Sequence, residues 1–147
     1  MSSQSIALNN GQQMIINTDT SKIFIWNNRY ENALYNNSAY DAVTLSAGTL
    51  MGRVAATGWI KPLASGSSDG SQFPVGVLAN DITVDGGDLV TVSICVAGDV
   101  AEEKIILQGS DTMETTISSR RLRDRIAADT VGIKLVTSTD NSAYDNQ

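Results

Sequence analysis

Bulky apolar residues come in short alternating runs, each broken after a few positions by Gly, Asn, Asp or Ser. That is the pattern of strands joined by turns. The clearest case is "ITVDGGDLVTVSICVAGD" at 82–99, read as a hairpin turning at Asp85-Gly86-Gly87-Asp88. In its second strand Val90, Val92, Ile94 and Val96 share one face, and Thr91, Ser93, Cys95 and Ala97 the other. "KIFIW" (22–26) and "RYENALY" (29–35) flank Asn27-Asn28, which predicts a second tight hairpin. "MIIN" (14–17), "AVTL" (42–45) and "TVGIKLV" (130–136) are further strands, the second closed by Ala47-Gly48. Residues 49–63 read as two strands around Thr57-Gly58, with Pro62 at an edge or a strand end because it lacks a ladder donor.

In "FPVGVLAND" (73–81) Pro74 sets the entry to a strand. Val75, Val77 and Ala79 are expected on one face, with Gly76, Leu78 and Asn80 opposite. Gly76 marks a bulge or the close approach of a neighbour. The polar tract before it, 64–72, reads as a solvated loop, and "AEEKIILQG" (101–109) as a helical turn and a short strand. The period changes once, in "SSRRLRDRIAAD" (118–129). Leu122 and Ile126 lie at i, i+4 there, and Ser118 or Ser119 is placed to cap the helix. The expected fold is mainly β with one short helix (α+β). Its parts are a mobile N-terminal arm over 1–13, one β-rich domain over 14–136 and a polar tail over 137–147.

Composition narrows the chemistry. With 147 residues, one domain can bury a real core without metal or disulfide staples. The formal net charge of −6 disfavours long-range attraction to nucleic acid or an anionic membrane. No basic, apolar leader opens the chain and no run of about 20 apolar residues follows, so the expectation is a soluble protein made in a cytoplasm. There is no histidine, which removes the commonest general base and the Ser-His and Cys-His nucleophile pairs.

Cys95, the single cysteine, alternates within a β-branched strand and reads as a small buried hydrophobe rather than a reactive thiol. Asp81, Asp85 and Asp88 offer oxygen ligands, but turn chemistry accounts for the last two and no full calcium-loop spacing is present. No phosphate-binding glycine motif occurs. Asn36-Asn37-Ser38 is a formal glycosylation acceptor that reads as a turn. Arg120, Arg121, Arg123 and Arg125 gather four of the ten basic residues. They form either a dock for an acidic partner or nucleic acid, or a solvated helix face pairing with acids of the same chain or of a neighbouring copy.

The order of motifs resembles the lambda-type head decoration proteins of tailed bacteriophages. "AGTLMGR" (47–53) is followed by a strand–turn–strand, "DGSQFPVGVL" (69–78), "GDV" (98–100) and "ADTVGIKLV" (128–136). The resemblance spans 43–136. It implies a β-rich domain without catalytic residue, cofactor or metal, made in the host cytoplasm and carried on the outer surface of the virion. It implies a homotrimer that binds the major capsid protein at threefold or quasi-threefold positions of the expanded head and braces it against internal DNA pressure. Gly48, Gly52, Asp69, Gly70, Pro74, Gly76, Gly98 and Gly132 would be structural positions of the motif. Ile6, Leu8, Met14, Ile15 and Ile16 would carry the contact of an arm with the capsid. The aromatic segment at 14–40 departs from the shortest members. The alternative is an adhesion module on a virion fibre, favoured if Trp26, Tyr30 and Tyr35 build one accessible platform for a host glycan or receptor.

Overall fold

The computed structural model describes residues 22–137. Ile6, Leu8, Met14, Ile15 and Ile16, and the strand expected at 14–17, lie outside these residues. Ten strands and one helix follow in order: β1 (Phe24–Asn36), β2 (Val43–Leu45), β3 (Leu50–Arg53), β4 (Ile60–Pro62), β5 (Pro74–Leu78), β6 (Ile82–Val84), β7 (Leu89–Ala101), β8 (Thr116–Ile117), β9 (Arg120–Arg121), α1 (Leu122–Asp129) and β10 (Gly132–Val136). A 3-10 turn at Glu102–Lys104 separates β7 from β8.

Strands β1, β4, β3, β5 and β7 form a closed barrel, because β7 pairs back onto β1. β1 and β7 are the long members, joined as an antiparallel ribbon from Phe24 opposite Val100 to Asn36 opposite Leu89. β10 lies parallel to the second half of β7, from Gly132 opposite Ala97 to Val136 opposite Ala101. The two faces of the barrel wall bury different cores. Inside, Tyr35, Met51, Ile60, Leu78, Val92, Ile94 and Val96 pack together with Val84 of the small β2–β6 sheet. Outside, Leu50, Leu63, Val77, Cys95 and Val100 pack under Ile117, Leu122, Ile126 and Ile133, so α1 and β10 form a roof.

Within the strands and the helix the structure departs from the sequence reading at four points, each with a local cause. Asn27-Asn28 is not a hairpin turn: β1 runs through it as one strand, with register shifts between Phe24 and Arg29. The irregularity is a bulge. Asn27 has φ 55° and Gly98 across from it φ 102°, and Asn28 Nδ2 bridges to the Asp99 carbonyl at 3.0 Å. A bulge shifts the side-chain alternation by one. Cys95 and Val100, five positions apart, therefore enter the same outer core.

The Asp85–Asp88 turn does form, closed by the Asp88 amide on the Asp85 carbonyl at 3.1 Å. Its flanking strands are not partners, since β6 pairs with β2 while β7 pairs with β1, β5 and β10. In β5, Gly76 is both a close approach and part of a bulge. Its register on β3 slips between Met51–Gly76 and Gly52–Pro74, and a Cβ there would stand 2.7 Å from the Cys95 carbonyl. Val75 consequently faces the inner core and Val77 the outer one, not the same face.

Finally, Ser118 and Ser119 do not cap α1. Both have positive φ (49° and 71°) and form the two-residue turn between β8 and β9. This is the mirror-image turn that matches strand twist. The helix starts at Leu122, and Leu122 and Ile126 are both fully buried, as their spacing predicts. Pro62 ends β4 as expected, and the strand at 130–136 is β10.

Candidate interaction surface

The glycine-rich motif builds the barrel rather than a cavity for chemistry. The loop at 64–72 is held down on β3: a Cβ on Gly52 would stand 2.0 Å from the Ser71 carbonyl, so only glycine lets the two backbones touch. Ser71 is fully buried, which corrects the picture of a wholly solvated loop. Asp69 fixes the turn, accepting from the Ser71 amide at 3.0 Å, the Ser71 hydroxyl at 2.6 Å and Lys61 Nζ at 2.9 Å. The hydrogen bonds from Ser71, followed by that from Lys61, hold its carboxyl well below the usual carboxylate range. Gly70 lies between Asp69 and Ser71, and Pro74 is buried at the start of β5. A Cβ on Gly48 would stand 2.7 Å from the Lys104 carbonyl. Gly132 begins β10, where a Cβ would meet only Ala97 Cβ at an ordinary 3.6 Å.

The arginine cluster divides. Arg121 pairs with Glu114 (3.1 Å) and Asp124 (3.3 Å). Arg123 bridges Glu102 at 2.5 Å and also pairs with Glu114. These bonds raise the Arg121 and Arg123 guanidinium pKa values, and hydrogen bonds from Arg123 and then Arg121 depress that of Glu114. Arg125 donates to the Ile117 and Ser118 carbonyls at 3.1 and 3.0 Å, pairs with Asp129, and lies 5.0 Å from the Phe73 ring centre. Three of the four arginines thus tie the roof to itself, and only the exposed Arg120 makes no ion pair among the described residues.

Cys95 is fully buried. Its thiol donates to the Ala97 carbonyl at 3.1 Å and receives Asn28 Nδ2 at 3.5 Å. Burial pushes its pKa up, which keeps it protonated and unreactive. Asp81 accepts from the Ala47 amide at 2.7 Å, and among the described residues no group of three acids or thiols is close enough to hold a metal ion. Asn37, within the formal acceptor sequence, is a buried turn residue. Its side chain bonds the Asp41 and Val84 carbonyls at 3.0 and 2.9 Å and the Ala39 amide at 3.0 Å.

The three rings of the adhesion alternative do not form one surface. Trp26 is 71% exposed and Tyr30 47%, but Tyr35 is 6% exposed and belongs to the barrel interior. Odd and even positions of β1 face opposite ways, and Tyr35 is on the inner side with Ala33. Exposed apolar side chains are scattered instead, with Tyr40, Ile106 and Val131 elsewhere on the surface and one group on the outward face of the β1–β7 ribbon. Tyr30, Leu34 and Leu89 stand there, beyond the end of the roof. Sequence reasoning missed this face, although Thr91 and Ser93 alternating with valines were its signal.

Among the described residues no helix is long and apolar enough to cross a membrane. Comparison with individual curated proteins finds no match. The family model described as bacteriophage lambda head decoration protein D matches residues 32–121. That span runs from within β1 to the end of β9 and takes in every strand from β2 to β7. Covering more than half of the chain, it places the protein in the family of phage lambda-type head decoration proteins.

Proposed function

We propose that this protein is a non-enzymatic cement of the phage head. It binds the major capsid protein on the outer surface of the expanded shell, as a homotrimer at threefold or quasi-threefold positions, and resists the pressure of packaged DNA. The observation that carries this reading is the family match across the barrel. Family membership implies a place on the capsid, and the trimer, the site and the bracing role extend it.

The physics of attachment suits the chain. Residues 1–13 alternate Ile6 and Leu8 at strand spacing within a polar stretch. An extended segment of this kind adds to a sheet edge, with main-chain bonds supplying affinity and side-chain pockets register. Ordering it costs about 1–2 kcal/mol per residue, so single contacts are modest. Three copies acting together make them sufficient. The motif loop at 64–72 is a rigid element of the barrel and needs no chemistry of its own. An adhesion role lacks its platform, since Tyr35 is inside the barrel.

Co-sedimentation with expanded, undecorated capsids tests the reading. Full-length protein is expected in the pellet at saturable stoichiometry, and protein lacking residues 2–13 is expected to remain folded but to pellet far less. Absence of binding by the full-length protein contradicts a cement role. Equal binding by the truncated chain removes the arm as anchor.

A further inference from the structure

We propose that residues 14–17 of this chain dock as an added strand in the groove between the outer edge of β10 and helix α1. β10 is the last strand of its sheet. Among the described residues its only strand partner is β7, so its other edge carries backbone donors and acceptors with no strand to meet. A groove of about 350 Å³ lies there, touching Ile133, Lys134 and Leu135, Arg123 and Ala127 of α1, and Glu102. Successive residues of a strand point to opposite faces, so a hollow that meets three in a row follows the edge and not a face. Ile133 is buried and Leu135 packs against the same outer core. The helix side of the groove is therefore its apolar side. A strand edge beside a helix is suited to an extended segment, which bonds the edge through its main chain and seats alternate side chains in the hollow.

The occupant follows from where the chain enters. The Ala101 amide donates to the Ile23 carbonyl at 2.9 Å, and Val136, the last residue of β10, stands opposite the same Ala101. The residues before β1 thus enter at the end of the sheet where β10 finishes. From β1 across β7 and β10 to a strand beyond is three strand spacings, about 14 Å. Residues 18–22 reach about 17 Å when extended. Residues 14–17 are then the nearest stretch that can lie in the groove, and they run parallel to β10. Met14 and Ile16 share one face of such a strand and would sit under α1 beside Ile133 and Leu135, with Ile15 turned away.

Charge agrees with an uncharged occupant. Glu102 is already paired with Arg123, and Asp124 with Arg121. The stretch after β10 fits worse: residues 138–147 hold no Val, Ile, Leu or Met and include Asp140 and Asp145. A segment tethered by a short linker meets its site at an effective concentration in the millimolar range, ahead of an outside strand of equal affinity. Docked in this way, the segment makes residues 1–13 leave from the Gly132 end of β10, which sets where the arm assigned to the shell departs. The docking itself does not depend on the cement role.

The test is hydrogen exchange read by mass spectrometry on the full chain, on chains lacking residues 2–13, 2–17 or 138–147, and on Ile16→Asp and Ile15→Asp. In the full chain the amides of residues 15–17 are expected to exchange about tenfold or more slowly than in an unfolded chain. Loss of residues 2–13 should change neither this nor β10. Loss of residues 2–17, or Ile16→Asp, should speed exchange within Gly132–Val136 by about tenfold while β3 and β5 keep their protection, and Ile15→Asp should do less. The wild-type pattern decides even if a variant fails to fold. Amides at 15–17 that exchange like an unfolded chain overturn the proposal, as does a β10 that Ile16→Asp leaves unchanged in a folded protein. So does a β10 laid open by loss of residues 138–147 instead, which would make the tail the occupant. Protection at 15–17 that vanishes on dilution to monomer would place the segment in a neighbouring copy's groove and overturn it too. None of these outcomes turns on capsid binding.

Discussion

The two halves of the outward face of β7 have the same alternating backbone and different fates. From Cys95 to Val100 the face is roofed by α1 and β10, and its side chains join a core with Leu122, Ile126 and Ile133. From Leu89 to Ser93 no described residues roof it, and Leu89, Thr91 and Ser93 look outward with Leu34 and Tyr30 of β1. The inner face is continuous under both halves, through Val90, Val92, Ile94 and Val96. The barrel therefore does not need the bare half for its own stability.

The largest effect should come from the roofed half. Ile126→Ala removes a fully buried side chain and should cost about 2–5 kcal/mol in denaturant unfolding. Leu34→Ala, measured where the protein is monomeric, should cost well under half of that, because its side chain is already 41% exposed. Equal losses at the two positions would erase the distinction between roof and strip.

Next in size is a backbone-constrained position within the roofed half. Gly98 has φ 102°, and a Cβ would stand 2.6 Å from the Asn27 carbonyl. Gly98→Ala should therefore lower stability by about 1–3 kcal/mol from backbone strain, and by more from the collision. Gly132→Ala is the matching control. Its Cβ meets Ala97 at 3.6 Å, so thermal unfolding should move little. The two glycines belong to the same family pattern and should behave differently.

Much of this was legible in the sequence, and the losses have definite causes. Alternation located the strands, the i, i+4 pair Leu122 and Ile126 located the helix, and Gly76 announced its bulge. Strand partners were not legible. Asp85–Asp88 is a correct turn between strands that pair elsewhere, because ladder partners are chosen by packing and not by proximity along the chain. Asn27-Asn28 misled because positive φ serves a bulge as well as a turn. The arginine cluster was legible as charge, but its self-pairing depends on Glu102 and Glu114, which only the fold brings near. The bare strip was present as Thr91 and Ser93, yet nothing local distinguishes a strand facing water from one facing a partner.

A smaller effect is expected at Cys95. A thiol reagent should label it only after denaturation, at a rate that tracks unfolding, since burial both shields the thiol and raises its pKa. Cys95→Ala should cost about 1 kcal/mol and leave the strip intact. Rapid labelling of the native protein would show that the roof opens.

The smallest effect concerns pH. The carboxyls of Asp69 and Glu114 both titrate lower in the folded protein than in the unfolded chain, where ordinary values are 3.8 and 4.5. The unfolded state then binds more protons as pH falls through this range. Their contribution is present in full above the ordinary values and is lost as pH falls through the depressed ones. Glu114→Gln should therefore be less stable than wild type at neutral pH, by a small margin for so exposed a pair, and the two should converge in acid. A difference that grew as pH fell would contradict the assignment.

The most direct test of the whole account is electron microscopy of expanded heads decorated with the wild-type protein. The expected result is three copies around each threefold or quasi-threefold position on the outer surface of the shell. Isolated single copies, or density on appendages rather than the shell, would contradict it.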